Sequence, residues 1–382
     1  MMVYLYLWSG IGDITIRMPN MNENKKSVLF ILPALSAGGA ERVLITYMNH
    51  IDRARFVPQF LSITNHGRLG SLISTDIKTD SLGCPRVSTS IFKLYTYIKT
   101  NEPDIVFTTM AYMNFILLLL RPFFKQTKFV VREANMPLAT LKQHKRLEFF
   151  FRILYRILYP WADKVIVPAQ CITTELHTAL KVKTNNNVTI YNPVDDRIIT
   201  QNTENTEHRP NVDFYFVASG RLHPQKGFDR LIEMFAQTNL PYTWHLDIIG
   251  DGMERDKLES LIVQHNLSAR ISLLGFLDIP WPLYQLADVL LLPSRYEGLP
   301  NVVLESLHCG TPVIAHKDAG GIQEIADLSA SGSVQIVADM DAFAQSLAAL
   351  KPARRQRHVL SQAFTLTHAI SNLEDTFNAV LG

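Results

Sequence analysis

The stretch SRYEGLPNVVLESLHCGTP, residues 294–312, decides how the chain folds and where it works. It follows the apolar run Val289–Leu292 and leads straight into a second one, PVIA (312–315). Two apolar strands joined through a helical segment call for parallel pairing. Pro300 suits the first turn of that helix, where its missing N–H costs nothing. The amides of Asn301, Val302 and Val303 would then be orphans aimed back at the loop. Glu297 stands in the loop, and Glu305 lies about one turn into the helix. A carboxylate favoured by the helix dipole would explain Glu297, but it says little about Glu305. Two carboxylates this far apart do not share a proton; they can grip different parts of an elongated ligand.

Working outward, the same alternation covers most of the chain. SVLFILP (27–33) is a short apolar run closed by a Gly-rich turn. A helix follows from about Gly39, with Val43, Leu44, Tyr47 and Met48 on one face. FVPQFLSIT (56–64), DIVFTTM (104–110), KFVVRE (128–133) and KVIVPA (164–169) read as further buried strands. The pattern breaks at DDRIITQNTENTEHRPNV (195–212), which is polar, rich in Asn and Thr and without periodicity, and so reads as a linker. It restarts with DFYFVASG (213–220) and continues through WHLDIIG, ISLLG, DVLLLP, PVIA and VQIV. Near-continuous apolar strands separated by helices mean parallel sheets covered on both faces. The expected fold is α/β: two Rossmann-like domains in tandem, facing a central cleft. Residues 1–26 read as a non-core extension, which an upstream start codon would explain. The first domain is expected over 27–195, a linker over 196–212 and the second domain over 213–360. A C-terminal helix over 361–382 is expected to pack back toward the first domain. Ligands of such sheets bind beyond the carboxyl ends of the strands.

Composition sets bounds. The chain has 382 residues, too many for one ordinary domain, with 47% hydrophobic and 19% charged residues to supply two cores. A formal net charge of +2 gives no field for nucleic acid, and none is expected as a partner. Cys84, Cys171 and Cys309 lie far apart with no CxxC or His pattern. That argues against a disulfide framework or zinc site and fits a reducing compartment. The longest apolar stretch, 115–120, is cut by Arg121-Pro122, well short of the roughly 20 residues a membrane span needs. The N-terminus lacks the basic region and cleavage site of a signal peptide.

Besides the opening stretch, three loops that leave strands carry unusual chemistry. In LSAGGAERV (35–43), Gly38-Gly39 permits close backbone approach, and the helix start behind it offers N–H groups to an anion or a sugar hydroxyl. GxGxxG and the acidic residue of a dinucleotide site are absent, which disfavours a nicotinamide dehydrogenase. In SGRLHPQKGFDRL (219–231), Arg221 and Lys226 sit between Gly220 and Gly227 ahead of a helix. Two such cations suit a diphosphate, Arg forking onto oxygens and Lys acting as a point charge. In GDGMERDKL (250–258), the glycines, Gly250 first, would let the backbone meet a nucleobase. A plain turn or a solvated charge remains an alternative reading for each of the three.

Together these residues resemble the retaining family 4 glycosyltransferases of the GT-B fold. The resemblance runs nearly the whole way from Ser27 and is strongest over 219–325. Its most specific part is Glu, seven residues, Glu, met here by EGLPNVVLE, with SGRLHPQKG and GGAERV in the right order. YNPVD (191–195) looks like the family's junction into its second domain. The resemblance implies a hexose or N-acetylhexosamine donated by a nucleotide-diphosphate sugar, a UDP- or GDP-sugar, with no cofactor and no obligatory metal. No DxD stands at a strand end. It implies that Arg221 and Lys226 neutralise the diphosphate, Glu305 accepts hydrogen bonds from the ribose, and Glu297 meets the donor sugar. Gly38 and Gly39 would close on the donor from the first domain. Gly220, Gly250, Leu299, Asn301, Val302, Gly320 and Gly321 would complete the donor site. Many relatives carry a His where this chain has VVREANMP. Arg132, Glu133 and Asn135 stand there instead as a sugar or acceptor pocket, and similar sequences occur in N-acetylhexosamine transferases.

The acceptor side is read from LKQHKRLEFFFRILYRILYPW (141–161), amphipathic at helical spacing. Lys142, Lys145, Arg152 and Arg156 form a basic stripe; Leu147, Phe150, Phe151, Leu154 and Leu158 form an apolar one. Such a helix suits an anionic membrane surface, although a core helix with a solvated face fits the pattern equally. On the first reading the acceptor is a glycan or a polyprenyl-diphosphate-linked saccharide. The protein would then be cytoplasmic, peripheral on the inner face of the plasma membrane, and would build a surface polysaccharide or glycan precursor. A sugar-nucleotide epimerase, a glycogen-type synthase, or a non-catalytic binding subunit are the rivals on the same fold.

Overall fold

The apolar runs become strands of two all-parallel sheets in the computed structural model, which describes residues 25–35, 38–64, 67–143, 147–201, 209–351 and 360–382. The first sheet holds β1 (Lys26–Leu32), β2 (Phe56–Ser62), β3 (Lys78–Ser81), β4 (Ile105–Thr109), β5 (Lys128–Arg132), β6 (Lys164–Val167) and β7 (Asn187–Thr189). Their order is β3-β2-β1-β4-β5-β6-β7. The second holds β8 (Phe214–Ser219), β9 (Trp244–Ile249), β10 (Ile271–Gly275), β11 (Val289–Leu292), β12 (Val313–His316) and β13 (Val334–Val337), in the order β10-β9-β8-β11-β12-β13. Central strands are apolar because helices cover both faces. Val28 to Leu32 in β1 and Phe216 to Ala218 in β8 have no exposed surface at all.

Strand order reverses between β1 and β4 in one sheet and between β8 and β11 in the other, and ligands settle at such switch points. The two carboxyl edges face each other. Loops after β1, β5 and β6 touch loops after β11 and β12, and the junction after β7 runs between them. A helix at Leu366–Leu381 lays Ala369, Leu373 and Phe377 into the first domain's core, with Phe377 edge-on to Phe56 and Phe107.

Three expectations are altered. The polar stretch expected as a linker starts as a short helix, Asp196–Gln201, and residues 202–208 lie outside the described ones, as do 1–24 of the expected extension. The edge strands β3 and β7 were not anticipated, because KTDS and NVT carry no apolar signal. The stretch 141–161 is not one helix. It divides into the end of Pro137–Gln143, the helix Glu148–Leu158 and a 3-10 turn, Tyr159–Trp161; Lys145 lies outside the described residues. The basic stripe is partly spent. Arg152 bonds Glu148 at 2.8 and 3.0 Å, and Arg156 donates to the carbonyl of Leu180 at 2.7 Å. The apolar stripe divides too: Phe151, Leu154 and Leu158 pack inward, whereas Leu147 and Phe150 are exposed. No helix among the described residues is long and apolar enough to cross a membrane.

Candidate active site

At the β8/β11 switch point, the Lys226 ammonium lies 2.6 Å from Oε1 of Glu297. The same oxygen accepts from Ser294 Oγ at 2.7 Å, whereas Oε2 has, among the described residues, only Gln225 Nε2 at 3.5 Å. Glu297 is 5% exposed, so this second oxygen is an acceptor with spare capacity in a water-poor place. Arg221 is exposed and has no ion-pair partner among the described residues.

The loops that carry these charges are clamped together. Arg230 donates to the carbonyls of Pro293 and Ser294 at 2.7 and 2.8 Å. Arg295 forks onto Asp229 at 2.8 and 3.0 Å and reaches the Pro224 carbonyl at 2.7 Å. A backbone bond from the Arg295 amide to the Gln225 carbonyl at 2.8 Å completes the clamp. Gly227 has φ 70°, and a Cβ there would stand 2.1 Å from the Pro293 carbonyl oxygen, so only glycine fits. A charged pair held this firmly needs little reorganisation when a ligand arrives.

Glu305 is half-buried on the helix Asn301–His308, and Trp281 Nε1 donates to it at 3.2 Å. Burial pushes its carboxyl up to about 7, against the pull of Arg42 and the Trp281 bond. Pro300 proves to be the residue before the first turn, with ψ 102°. The Val303 amide returns to the Pro300 carbonyl at 3.1 Å, so of the three amides expected to be orphans, those of Asn301 and Val302 remain without an acceptor among the described residues. Leu299 is buried and Val302 partly so. The Gly250 loop is pressed against Gly220, whose carbonyl oxygen would lie 1.9 Å from a Cβ at 250. The loop with Gly320 and Gly321 packs on the Glu297 loop, Gly321 N donating to the Gly298 carbonyl at 2.7 Å.

The first domain closes over this floor. Gly39 accepts from Asn301 Nδ2 at 3.5 Å, with Gly38 at the helix start beside it. Gly298 lies so near Ala134 that a Cβ would come within 2.1 Å of the carbonyl oxygen and 3.1 Å of Asn135 Cα. Glu324 caps the first-domain helix Gln170–Thr178, accepting from the amides of Gln170 and Cys171 at 2.8 and 2.9 Å. Asn135 therefore borders the cleft, but the side chains of Arg132 and Glu133 turn into the first domain, 1% and 2% exposed. Glu133 accepts from Tyr155 at 3.1 Å and from Tyr159. Burial raises its carboxyl to about 7, offset by Tyr159, Tyr155 and Arg132.

Sequence reasoning missed Arg42, Ser294, Trp281, Asn192 and Glu324. Arg42 stands three residues after Gly39, one helical turn along, and that spacing was a signal for a side chain on the cleft side. Ser294 stands three residues before Glu297 in the opening stretch, which was a signal of the same kind, whereas Trp281, Asn192 and Glu324 are distant in sequence from their partners and meet them only through the tertiary fold.

The profile described as "Glycosyl transferases group 1" matches residues 200–365, and that described as "Glycosyltransferase Family 4" matches residues 37–197. The chain is 27% identical over 222 residues to the N-acetylgalactosamine-N,N'-diacetylbacillosaminyl-diphospho-undecaprenol 4-alpha-N-acetylgalactosaminyltransferase of Campylobacter jejuni, covering 58% of this chain and 60% of that enzyme's length. It is 26% identical over 309 residues to the amylovoran biosynthesis glycosyltransferase AmsD of Erwinia amylovora, covering 78% and 83%. In fold it is like Anabaena HepE, crystallised in complex with UDP and glucose: TM-score 0.72, 20% identity, 93% of this chain and 100% of that one.

Proposed function

Because the chain belongs to the family 4 glycosyltransferases and has their GT-B fold, we propose that it transfers a hexose or N-acetylhexosamine from a UDP- or GDP-sugar to a lipid-linked glycan, with retention at the anomeric carbon. The observation that carries this reading is the Lys226–Glu297 pair at the switch point, with Arg221 on the same loop and without an ion-pair partner among the described residues. In this reading Arg221 and Lys226 take the diphosphate, and the second oxygen of Glu297 takes a sugar hydroxyl. Glu305 takes the ribose, and the loop at Gly38 and Gly39 closes over the donor. The C1–oxygen bond breaks as charge builds on the leaving phosphate, where preorganised cations stabilise it most. The acceptor hydroxyl attacks from the face the diphosphate leaves, and its proton passes to a phosphate oxygen. Side-chain cations supply the neutralising charge, without an obligatory metal.

A diphospho-undecaprenol-linked glycan is named for the Campylobacter relative, and it supports a lipid-linked acceptor here. So does the first domain's surface. Phe115 stacks on Phe151, joining the helices Ala111–Leu120 and Glu148–Leu158. These helices and their ends expose Tyr112, Leu119, Phe123, Phe149 (76%), Phe150 and Ile157. An apolar ridge of this kind suits immersion in a lipid interface, with Lys142 exposed nearby in sequence to meet anionic headgroups. The protein would then work at the cytoplasmic face of the membrane.

The test is a panel of UDP- and GDP-linked hexoses and N-acetylhexosamines with a polyprenyl-diphosphate glycan, read as release of nucleoside diphosphate and as anomeric configuration of the product by NMR. One donor should give acceptor-dependent release and an α-linked product from an α-linked donor. Conversion of the donor into another nucleotide sugar without acceptor would replace this reading with an epimerase.

A further inference from the structure

Asn192, in the junction after β7, is 4% exposed and binds in three directions. Its Oδ1 accepts from Arg132 Nη2 at 2.5 Å. Its Nδ2 donates to the Leu299 carbonyl at 3.3 Å and to Asn301 Oδ1 at 2.6 Å. Asn301 Nδ2 then reaches the Gly39 carbonyl. The polarity of this chain is fixed by chemistry. A guanidinium only donates and a backbone carbonyl only accepts, so the Asn192 amide has one workable orientation, and that orientation sets Asn301. Arg132 has no surface outlet: its side chain also donates to Thr109 Oγ1 at 3.3 Å and meets the Tyr47 hydroxyl, the Glu133 carboxyl acts on it through charge, and its Nε has no partner among the described residues. A buried guanidinium short of acceptors holds each one it has strongly.

We propose that Asn192 is a positioning residue. Anchored by Arg132, it holds the first turn of the Asn301–His308 helix and the Gly39 loop in one closed arrangement, and so sets the donor site from the first domain's interior. This rests on the transferase reading for its consequence, but not for its geometry. It also gives Arg132 work that needs no contact with any substrate.

Asn192→Asp separates positioning from mere packing. The carboxylate still pairs with Arg132, so the core stays satisfied, but its second oxygen faces the Leu299 carbonyl and Asn301 Oδ1 and repels both. In the full-length protein, amide hydrogen exchange should accelerate at 299–303 and at 38–42, and stay unchanged in β8 and β9. Turnover with the donor found in the panel should fall about tenfold with little change in its KM, as loss of an arrangement needed only for transfer does. If Asn192→Asp does not fold, Asn301→Ala keeps the Arg132 and Leu299 bonds and should loosen 38–42 alone. Exchange at these segments equal to wild type overturns the proposal. A wild-type protein that transfers nothing would sink the transferase reading instead, and the exchange data would still decide the relay.

Discussion

Glu305→Gln should weaken nucleotide binding and strengthen the fold, each with its own dependence on pH. The Glu305 carboxyl stands at about 7 rather than 4.5 because burial disfavours its charge. The folded chain therefore binds this proton more tightly than the unfolded one. Its effect on stability is nil below pH 4.5, grows as pH rises, and is complete above 7. A shift of this size corresponds to about 1–3 kcal/mol of destabilisation by the ionised form at pH 8. Glutamine keeps the Trp281 bond and never ionises, so the variant should equal wild type in thermal stability near pH 4.5 and exceed it at pH 8. Ribose hydroxyls donate to the carboxylate, so binding should show the opposite sign. The ionised fraction of Glu305 rises from roughly a tenth at pH 6 to roughly nine tenths at pH 8, making wild-type affinity rise about tenfold over that range. UDP serves as the probe in calorimetric titrations at pH 6, 7 and 8. Its own terminal phosphate titrates near pH 6, and taking the ratio of wild type to variant removes that contribution. A ratio flat with pH would refute the assignment of Glu305 to the ribose, and a variant no more stable than wild type at pH 8 would refute the raised carboxyl on which the pH dependence rests.

Arg221→Ala should lower kcat by about 2–4 kcal/mol of transition-state stabilisation while leaving the melting temperature unchanged, since Arg221 is exposed and has no ion-pair partner among the described residues; initial rates and calorimetry check both halves. Lys226→Ala should lose as much activity and also melt earlier, because it strands the buried Glu297; adding Glu297→Gln should recover stability but not turnover. Replacing Phe149, Phe150 and Ile157 together by Ser should cut binding to vesicles containing anionic phospholipid by about 1–2 kcal/mol per side chain, with UDP affinity unchanged; equal vesicle binding would remove the lipid face. Dialysis against EDTA should leave the initial rate of transfer as it was, whereas a loss restored by a divalent cation would put a metal beside Arg221 and Lys226.

How legible all this was depends on where the information lies along the chain. The central strands were readable because burial on both faces forces continuous apolar runs, as in VLLL before the Glu297 loop. β3 and β7 were not, because an edge strand needs only backbone pairing on one side, and KTDS and NVT are intermediate or exposed throughout. The helix read over 141–161 failed for a related reason. Its spacing was right for Glu148–Leu158, but spacing does not show where a helix starts, here after the non-helical Leu147, nor the carbonyl of Leu180 that claims Arg156. Arg132 shows the limit most clearly. It ends a strand beside a cleft, where a side chain of alternating direction points either to ligand or to core, and sequence offers no way to choose.

The cleft's charges also explain why its two glutamates had to differ. Glu297 carries a charge that Lys226 neutralises at 2.6 Å, so the pair as a whole is close to neutral toward an incoming diphosphate. Glu305 has no such ion pair among the described residues. Arg42 acts on it from the other domain, and burial leaves it near the midpoint of its titration at neutral pH. A second fully ionised carboxylate would repel the donor's phosphates, whereas a carboxyl only partly ionised at neutral pH repels them less and can complete its ionisation as hydroxyls arrive to share the charge. On this reading the field of Arg42, which reaches Glu305 from the other domain, favours its ionisation and so links the arrangement of the two domains to nucleotide binding. Arg42→Gln should therefore raise the pH at which UDP affinity reaches its plateau, and an unshifted profile would show that the two domains do not communicate through this pair.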